Sequence, residues 1–511
     1  MRSVGFLPTA GSRRLSRRFA RSSSGNIAII FSFMLIPLLT AVGGAVDLSR
    51  ALLAEQRLGN ALDATALAVG ANETMSEEEL QQLAQNFFNA NYPEELIGTP
   101  GPITLTIEDG IVNIAGTTQL NTTLLGLIDI DVMNVAASAQ VVRESKSLEV
   151  VLVLDNTGSM AQNGKIGALK DATSILVDQL FGEQPVHPKL KIAFVPFSQA
   201  VNVGSDKAGE FWIDSTALSS IHGENFYPDG SGNKINVFNL YNAMSNKSWN
   251  GCVETRPEPL DELDTVPSLA DGDTLWVPYF YPDEPGGKNS PSNGYDNSYL
   301  ADGVSGTAAH RQKSWGKYSA QTPSNSADGP NWGCYIAPIT ALTNVKQDLK
   351  DAIVDFIANG YTHIPIGLAW GWRVASPSEP FTEGAPYEDP ETNKAIVLLT
   401  DGYNTLEYQN THNKTNYSAY GFVNGGRLGT TNYNNAVSQL DPKTSAVCEN
   451  IKEAGIRLYT ITFQLPNGPI KDLMRDCATS PSLYYDSPSN AQLQTVFQAI
   501  AKDLSNLRIS E

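Results

Sequence analysis

The first long pattern in the chain is an apolar run near its N-terminus. Positions 27–46 carry twenty residues without a charged side chain, and apolar positions then recur near helical spacing as far as Val69. A helix of twenty residues is about 30 Å long, which matches the hydrocarbon thickness of a bilayer. The pattern therefore predicts a transmembrane helix over 25–46 that continues, without a break, as an amphipathic helix.

Weaker patterns lie between this helix and the larger C-terminal part of the chain. Ser76 followed by Glu79 is a capping-box pattern, which predicts the start of a second helix. Alternating apolar positions on both sides of Asp109-Gly110 predict two strands joined by a two-residue hairpin turn. Residues 47–145 are therefore expected to form a helical stalk plus a small antiparallel sheet that acts as a structural spacer.

Two nearly continuous apolar runs in the C-terminal part are typical of central strands buried on both faces of a sheet. The first covers 148–155 and ends in Asp155, and a helical pattern follows over 165–180. The second covers 395–401 and ends in Asp401. Because ligands in open α/β sheets bind at the carboxyl ends of the strands, the two aspartates mark a candidate binding site.

The loop after the first of these strands has the chemistry of a cation site. Asp155, Thr157 and Ser159 lie at positions i, i+2 and i+4, so a turning loop can direct all three toward one point. A carboxylate with two hydroxyls suits a hard cation such as Mg²⁺, which prefers oxygen ligands. Considered alone, the same three residues are more typical of a helix cap.

The distribution of charge indicates which partners and which cellular compartment to expect. The chain has 54 acidic and 35 basic residues, a net charge of −19, so it repels polyanions and no nucleic-acid partner is expected. Residues 1–24 carry six arginines and no acid, and such charge is retained on the cytoplasmic side of a membrane. We expect one membrane pass with a cytoplasmic basic tail. A cleaved signal peptide, with Ala41 and Gly43 at cleavage-like spacing, is the alternative.

Two family resemblances rest on these residues. The segment from Gly25 through AVDLSRALLAEQRLGNALDATALA resembles the TadE/TadG-like segment of Tad (tight adherence) pilus-assembly proteins. The DNTGS loop, the threonine of GYTHIPIGL and the aspartate of LLTDG together resemble the metal-ion-dependent adhesion site of the von Willebrand factor type A (vWA) family. The phrases GLAWGWRVASP and CENIKEAGIRLYTITF look specifically TadG-like.

The vWA resemblance implies a fold for residues 146–511. It is an α/β, Rossmann-like fold with a mostly parallel sheet flanked by helices. Residues 204–338 and 403–440 are rich in Asn, Gly, Ser, Pro and Tyr and are expected to be large insertions. Both begin just after strand ends, where they can surround the metal face.

The resemblance also implies a set of metal ligands and a function. The ligands of a divalent cation, Mg²⁺ with Mn²⁺ or Ca²⁺ as alternatives, would be Asp155, Thr157, Ser159, Thr362 and Asp401. In the vWA family one coordination position is left for water or for an acidic group of a partner. The chain would then bind pilus-assembly or envelope proteins in the periplasm or at the cell exterior of a bacterium, anchored in the inner membrane. A metal-independent scaffold of the cell envelope is the alternative.

Catalysis is not expected. The sequence has no CxxC, HExxH, P-loop or GxSxG motif, and its five histidines are scattered. His363, beside Thr362, is interpreted as a residue of packing or of a polar contact in the loop rather than as a base. A hydrolase that uses the cation would lack a general base, since each residue of the motif is already assigned to the metal.

All four cysteines lie in the C-terminal half of the chain. An exported domain favours disulfides over free thiols, which are the alternative. The elements that carry Cys448 and Cys477 are neighbours in a vWA sheet, and Cys252 and Cys334 bracket the first insertion. The resemblance therefore implies the bridges 448–477 and 252–334, one of three possible pairings.

Overall fold

The computed structural model describes residues 24–509, except 73–74, 94–96, 109–110, 143–145, 287–293, 322 and 324–328. It divides into two compact units, residues 1–144 and residues 145–511. Of the predicted basic tail only Ser24 is described, as the first residue of a helix. The predicted turn at Asp109-Gly110 lies outside the described residues.

The N-terminal unit is built on one long helix, α1 (Ser24–Gly70). In its first half apolar side chains are exposed, among them Ile27 and Phe33 at 72% and 77%. By length and composition α1 is able to cross a membrane, a test that a signal sequence in this place also passes. In its second half, Leu58 and Leu62 are buried in a hydrophobic core. The change from exposed to buried apolar residues therefore occurs within one continuous helix.

A second helix and an antiparallel sheet complete this unit. Helix α2 (Glu77–Asn91) begins with the predicted capping box, because the Ser76 and Glu79 side chains each accept the other residue's backbone N–H. Both helices bury residues against one face of the sheet, in which β3 pairs with β1 and β2 along one edge and with β4 along the other. The strands are β1 (Thr99–Pro100), β2 (Thr104–Glu108), β3 (Ile111–Asn121) and β4 (Val132–Val142).

A six-stranded sheet of order β12-β11-β10-β5-β6-β9 forms the centre of the C-terminal unit. Five strands run parallel and β9 is an antiparallel edge strand. Across the described residues antiparallel strand pairs outnumber parallel ones, so the chain is mixed α/β and the expectation of a mostly parallel sheet applies only to these five strands. The strands are β5 (Ser147–Asp155), β6 (Leu190–Phe197), β9 (Thr340–Thr343), β10 (Thr392–Thr400), β11 (Arg457–Phe463) and β12 (Tyr484–Ser487).

Helices cover both faces of this sheet. In β5, Val150 and Leu152 point into the core on one face of the sheet, and Val151 and Val153 point into the core on the other face. Because both faces are buried, the strand is a continuous apolar run. One face carries α3 (Lys165–Phe181), α7 (Lys346–Val354) and α11 (Asn490–Ile509). The other face carries α8 (Ile364–Ala375), α9 (Tyr433–Glu453) and α10 (Pro469–Cys477).

Helix α8 lies unusually close to the sheet because two glycines face it. A Cβ built on Gly367 would overlap Phe197, and one built on Gly371 would overlap Val153. The close approach of α8 positions the loop immediately before it at the carboxyl ends of β5 and β6. That loop carries the predicted metal ligand Thr362.

The first predicted insertion, 204–338, is mostly irregular chain around an aromatic core. Tyr241, Phe280 and Tyr318 pack edge to face within it, with ring centroids 5.0 and 5.4 Å apart. Its regular elements are α4 (Val237–Ala243), α5 (Ala308–Lys313), α6 (Lys317–Ala320) and β8 (Cys252–Val253), which pairs with β7 (Val201–Asn202). The second predicted insertion, 403–440, is irregular only as far as residue 432, since α9 begins at Tyr433.

Two disulfides brace the C-terminal unit. Cys252 is bonded to Cys334, which closes the first predicted insertion on itself. Cys448 is bonded to Cys477, which links α9 to α10. The pairing is the one expected from the sequence, and it leaves no free cysteine in the described residues.

Candidate metal centre

The loop after β5 folds back on the aspartate that ends the strand. Asp155 Oδ1 accepts hydrogen bonds from Thr157 N at 2.9 Å and from Thr157 Oγ1 at 2.6 Å. The next hydroxyl, Ser159 Oγ, lies 3.0 Å from Thr157 Oγ1. The i, i+2, i+4 spacing therefore does direct the three oxygen-bearing side chains to one place.

The end of β10, the neighbouring parallel strand, contributes the second carboxylate. Ser159 Oγ donates to Asp401 Oδ1 at 2.5 Å, across 242 positions of the chain. Thr400 Oγ1 donates to Asp155 Oδ2 at 2.8 Å, so the other oxygen of Asp155 is also held from β10. Asp155, Thr157, Ser159 and Asp401 are thus joined by consecutive polar contacts of 2.6, 3.0 and 2.5 Å, and both carboxylates are buried.

Thr362 reaches the same place from the loop before α8. A Cβ built on Gly402 would lie 3.2 Å from Thr362 Oγ1, so the threonine hydroxyl lies against the backbone that follows Asp401. The loop is also joined to the β5 loop, since Gly158 N donates to Gly360 O at 2.9 Å. The structure therefore brings all five sequence-predicted ligands to the carboxyl ends of adjacent strands.

Thr405 holds the Thr362 backbone on both sides. Its amide donates to Thr362 O at 2.9 Å, and its hydroxyl accepts the Thr362 amide at 3.2 Å. Nearby, Asn404 Oδ1 accepts the amide of Ile364 at 2.8 Å, which fixes the start of α8. Both residues belong to the second predicted insertion, so that segment helps to position the candidate ligand.

The site places two buried carboxylates close together. Burial raises the pKa of Asp155, and the negative charge of Asp401 raises it further. Hydrogen bonds from Thr157 and Thr400 act in the opposite direction, because they favour the ionised form. Ionising both carboxylates is therefore costly unless positive charge is placed beside them.

One positive charge is supplied by Lys165, a residue that the sequence analysis treated only as the start of a helix. Its Nζ lies 2.8 Å from Asp401 Oδ2, and 8% of the residue is exposed. The sequence carries no local signal for this role, because the two residues are 236 positions apart in the chain.

The residues fit a hard divalent cation. Two carboxylates and three hydroxyls form an oxygen-only set, the kind that Mg²⁺ prefers. Each hydroxyl of Thr157 and Ser159 donates its proton to a carboxylate, which leaves oxygen lone pairs for a cation. In the part of the chain that the structure describes, no group of three or more His, Cys, Asp or Glu residues has metal-site geometry, so a cation here would depend on the hydroxyls.

His363 lies next to the site without the properties of a general base. It is 1% exposed, and burial lowers its pKa to about 4. Its ring packs near Tyr420, with centroids 6.0 Å apart. The histidine is therefore a neutral packing residue at physiological pH, as the sequence suggested.

The N-terminal segment matches a family model. Residues 25–72 match the model described as "Tad: Putative Flp pilus-assembly TadE/G-like". The matched residues comprise most of α1, including the apolar run and the amphipathic continuation. No curated protein sequence matches the chain.

Several solved structures are similar to the chain at low sequence identity. The pilus adhesin SpaC from Lactobacillus rhamnosus GG is 14% identical, with a TM-score of 0.33 over 81% of this chain and 34% of its own. The vWF domain of the type V pili tip protein Mfa5 from Porphyromonas gingivalis is 10% identical, with a TM-score of 0.35 over 72% of this chain and 97% of its own. A von Willebrand factor type A protein from Catenulispora acidiphila is 11% identical, with a TM-score of 0.27 over 80% and 51%.

These scores are too low to establish a shared fold, and the chain spans about a third of the length of the adhesin. The comparisons therefore relate residues 25–72 to a pilus-assembly family, and the class of the C-terminal unit rests on its own site.

Proposed function

We propose that this chain is a TadG-like, membrane-anchored protein of Tad/Flp pilus assembly or surface adhesion. Its C-terminal unit would be a vWA domain that binds partner proteins through a metal-ion-dependent adhesion site. The observation that carries the proposal is the convergence of Asp155, Thr157, Ser159 and Asp401 through consecutive oxygen–oxygen contacts of 2.5–3.0 Å, with Thr362 beside them. The family match over residues 25–72 supports the link to pilus assembly.

Asp155, Thr157, Ser159, Thr362 and Asp401 would hold Mg²⁺, or alternatively Mn²⁺ or Ca²⁺, directly or through water. The bound cation supplies a positive charge that attracts an acidic side chain of a partner. The carboxylates of the chain are buried, so this attraction is weakened little by solvent. The hydroxyls orient the carboxylates, and Thr405 and Asn404 hold the Thr362 loop in place.

The proposed topology has the N-terminus in the cytoplasm and the C-terminal unit in the periplasm or at the cell exterior. Six arginines precede the apolar run, and such charge stays on the cytoplasmic side of the inner membrane. Two disulfides also suit an oxidising compartment. The chain is not proposed to be an enzyme, because the oxygen donors of the site are assigned to the cation and His363 is a buried packing residue.

The metal part of the proposal is tested by thermal unfolding of the detergent-solubilised full chain during a Mg²⁺ titration. A cation that binds only the folded state adds about 2.7 kcal/mol to the free energy of unfolding when its concentration is a hundred times its dissociation constant. Wild type and the matched control Asp171→Ala, an exposed aspartate on α3, should respond alike. Asp155→Ala should stay folded, but its unfolding temperature should not rise with Mg²⁺. An equal rise in all three proteins would contradict the proposed metal site.

The cellular part is tested by complementing a deletion strain with the same three proteins. Wild type and Asp171→Ala should restore pilus display and surface attachment, whereas Asp155→Ala should not. Unchanged pilus number and attachment in the deletion strain itself would contradict a role in pilus assembly or adhesion.

A second candidate function is a metal-independent scaffold of the cell envelope. The observation in its favour is the Lys165–Asp401 ion pair, which supplies positive charge to the site without a metal. This function predicts that Asp155→Ala restores pilus display as well as wild type does, provided that the variant folds.

A further inference from the structure

The N-terminal unit exposes an apolar loop between β3 and β4. The loop contains a short 3₁₀ turn, Leu125–Ile128, and leads into the start of β4. Ile128, Ile130 and Val132 are 44%, 44% and 43% exposed. The described residues of the unit therefore leave more than two fifths of the surface of each of these branched residues exposed.

The loop packs against α1 at the end of the apolar run. A Cβ built on Gly43 would overlap Leu124, and one built on Gly44 would lie 3.5 Å from Leu125 Cδ2. The two glycines therefore let the loop approach the helix closely. Because Gly43 and Gly44 belong to the uncharged run 27–46, the loop lies beside the segment that is expected to be in lipid.

Asp47, the first charged residue after the run, ties the loop to the helix. Its carboxylate accepts the backbone N–H groups of Thr123, Leu124 and Leu125 at 2.9–3.1 Å. Arg50 adds hydrogen bonds to the same region of the chain, including one to Thr123 Oγ1 at 2.6 Å. The loop is therefore fixed at one height along α1.

The backbone of the loop is largely satisfied by the protein itself. Thr122 N donates to Asp131 O at 2.9 Å, and Ile130 N donates to Leu125 O at 3.2 Å. Together with the three amides bound by Asp47, these bonds lower the cost of removing the loop from water. Chain that enters the edge of a bilayer must pair its polar groups in this way.

The height of the loop follows from the helix geometry. Gly43 precedes Asp47 by four residues, so it lies about 6 Å deeper along α1. If residues 27–46 fill the hydrocarbon layer, Leu124 and Leu125 lie at its edge. The exposed isoleucines then lie in the interfacial layer, where partly buried apolar side chains are stabilised.

We propose that residues 124–132 form a second membrane contact, inserted into the interface of the bilayer that α1 crosses. The proposal rests on the anchoring of α1 in a membrane, as in the proposed function. Asp129 and Asp131 are exposed on the same loop, so the contact suits zwitterionic rather than anionic lipid. Such a contact would hold the stalk at a fixed height above the membrane.

The test is the immersion depth of spin labels in the full chain, reconstituted into phosphatidylcholine nanodiscs. A nitroxide is placed at Ile128→Cys, and its collisions with oxygen and with a water-soluble nickel complex are compared. Leu67→Cys is the water-side control, since it is 61% exposed and lies about 30 Å beyond Asp47 on α1. Phe33→Cys, in the middle of the apolar run, reports whether α1 itself is in lipid.

We expect the label at Ile128 to collide with nickel severalfold less often than the label at Leu67, and anionic lipid to reduce that protection. If the label at Phe33 is in lipid while the label at Ile128 collides with nickel as often as the label at Leu67, the proposed loop contact is wrong but the membrane anchor is confirmed. If Phe33 is also exposed to nickel, the anchor fails and the contact fails with it. Dipolar broadening between Ile128 labels would instead identify a second copy of the chain as the cover, which would also overturn the proposal.

Discussion

Lys165 Nζ and Asp401 Oδ2 are 2.8 Å apart in an ion pair that is almost completely buried. The pair joins the start of α3 to the end of β10, within the set of candidate metal ligands. Its positive charge stabilises the carboxylate of Asp401 when no cation is present. The same charge repels a divalent cation, and this repulsion is strong because little water lies between the charges.

We therefore predict that Lys165→Met increases the affinity of the site for Mg²⁺ by at least about tenfold, since relief of about 1.4 kcal/mol of repulsion is sufficient. The same variant should be less stable than wild type without metal, by about 3–5 kcal/mol, because a buried carboxylate loses its partner. Titration calorimetry with Mg²⁺ and urea unfolding in a chelator measure the two effects.

The matched control for this experiment is Lys170→Met on the same helix. Lys170 Nζ donates to Val354 O in an exposed hydrogen bond and does not contact a carboxylate of the site. The Mg²⁺ affinity of the Lys170→Met variant should equal that of wild type. A Lys165→Met protein with unchanged or weaker Mg²⁺ binding would show that the lysine does not compete with the cation.

The position of Thr362 provides a second prediction. Thr405→Val removes the hydroxyl that accepts the Thr362 amide, while the hydrogen bond from the Thr405 amide remains. We expect Mg²⁺ affinity to fall about fivefold, equivalent to about 1 kcal/mol, with little change in metal-free stability. Thr411→Val, whose hydroxyl bonds Gln409 and not the site, is the control. Equal affinities for the two variants would argue against a positioning role for Thr405.

The central strands could be predicted from the sequence because their burial on both faces leaves a continuous apolar run. The runs at 148–155 and 395–401 correspond to β5 and β10 within three residues. The edge strand β9 could not be predicted, since its four residues are mostly half-buried and show no apolar run. The second predicted insertion was extended too far, to residue 440, although α9 already begins at Tyr433 and buries Leu440.

The site divides in the same way into local and long-range parts. Asp155, Thr157 and Ser159 could be recognised because a short spacing within one loop determines their convergence. Lys165 and Thr405 could not, because their contacts depend on how distant segments pack. Lys165, for example, meets a residue 236 positions away in the chain.

The disulfide between α9 and α10 should contribute measurably to stability. Cys448 and Cys477 are 29 positions apart in the chain, a loop for which chain entropy predicts about 3–4 kcal/mol. Replacing both residues by Ala should lower the free energy of unfolding in urea by that amount. Alkylation of the unreduced wild-type protein should modify no thiol. Unchanged stability of the double variant would mean that the unfolded chain is already restricted in this region.

Glu284 is a buried carboxylate whose hydrogen-bond partners are all neutral. Its oxygens accept hydrogen bonds from Asn297 N at 2.8 Å and Asn413 Nδ2 at 2.9 Å, among others. Burial raises the pKa of Glu284 to about 7, despite these bonds to the ionised form. In the unfolded chain the pKa returns to the ordinary value of 4.5.

A pKa that is higher in the folded state means that the folded protein holds the proton to higher pH. The contribution of Glu284 to the free energy of unfolding must then decrease as pH rises from about 4.5 to about 7. Glu284→Gln does not ionise, so the stability of wild type relative to this variant should fall by on the order of 2–3 kcal/mol over that range. Urea unfolding in a chelator at several pH values measures the difference, with the exposed Glu388→Gln as control. A difference that stays constant with pH would show that Glu284 titrates alike in the folded and unfolded chain.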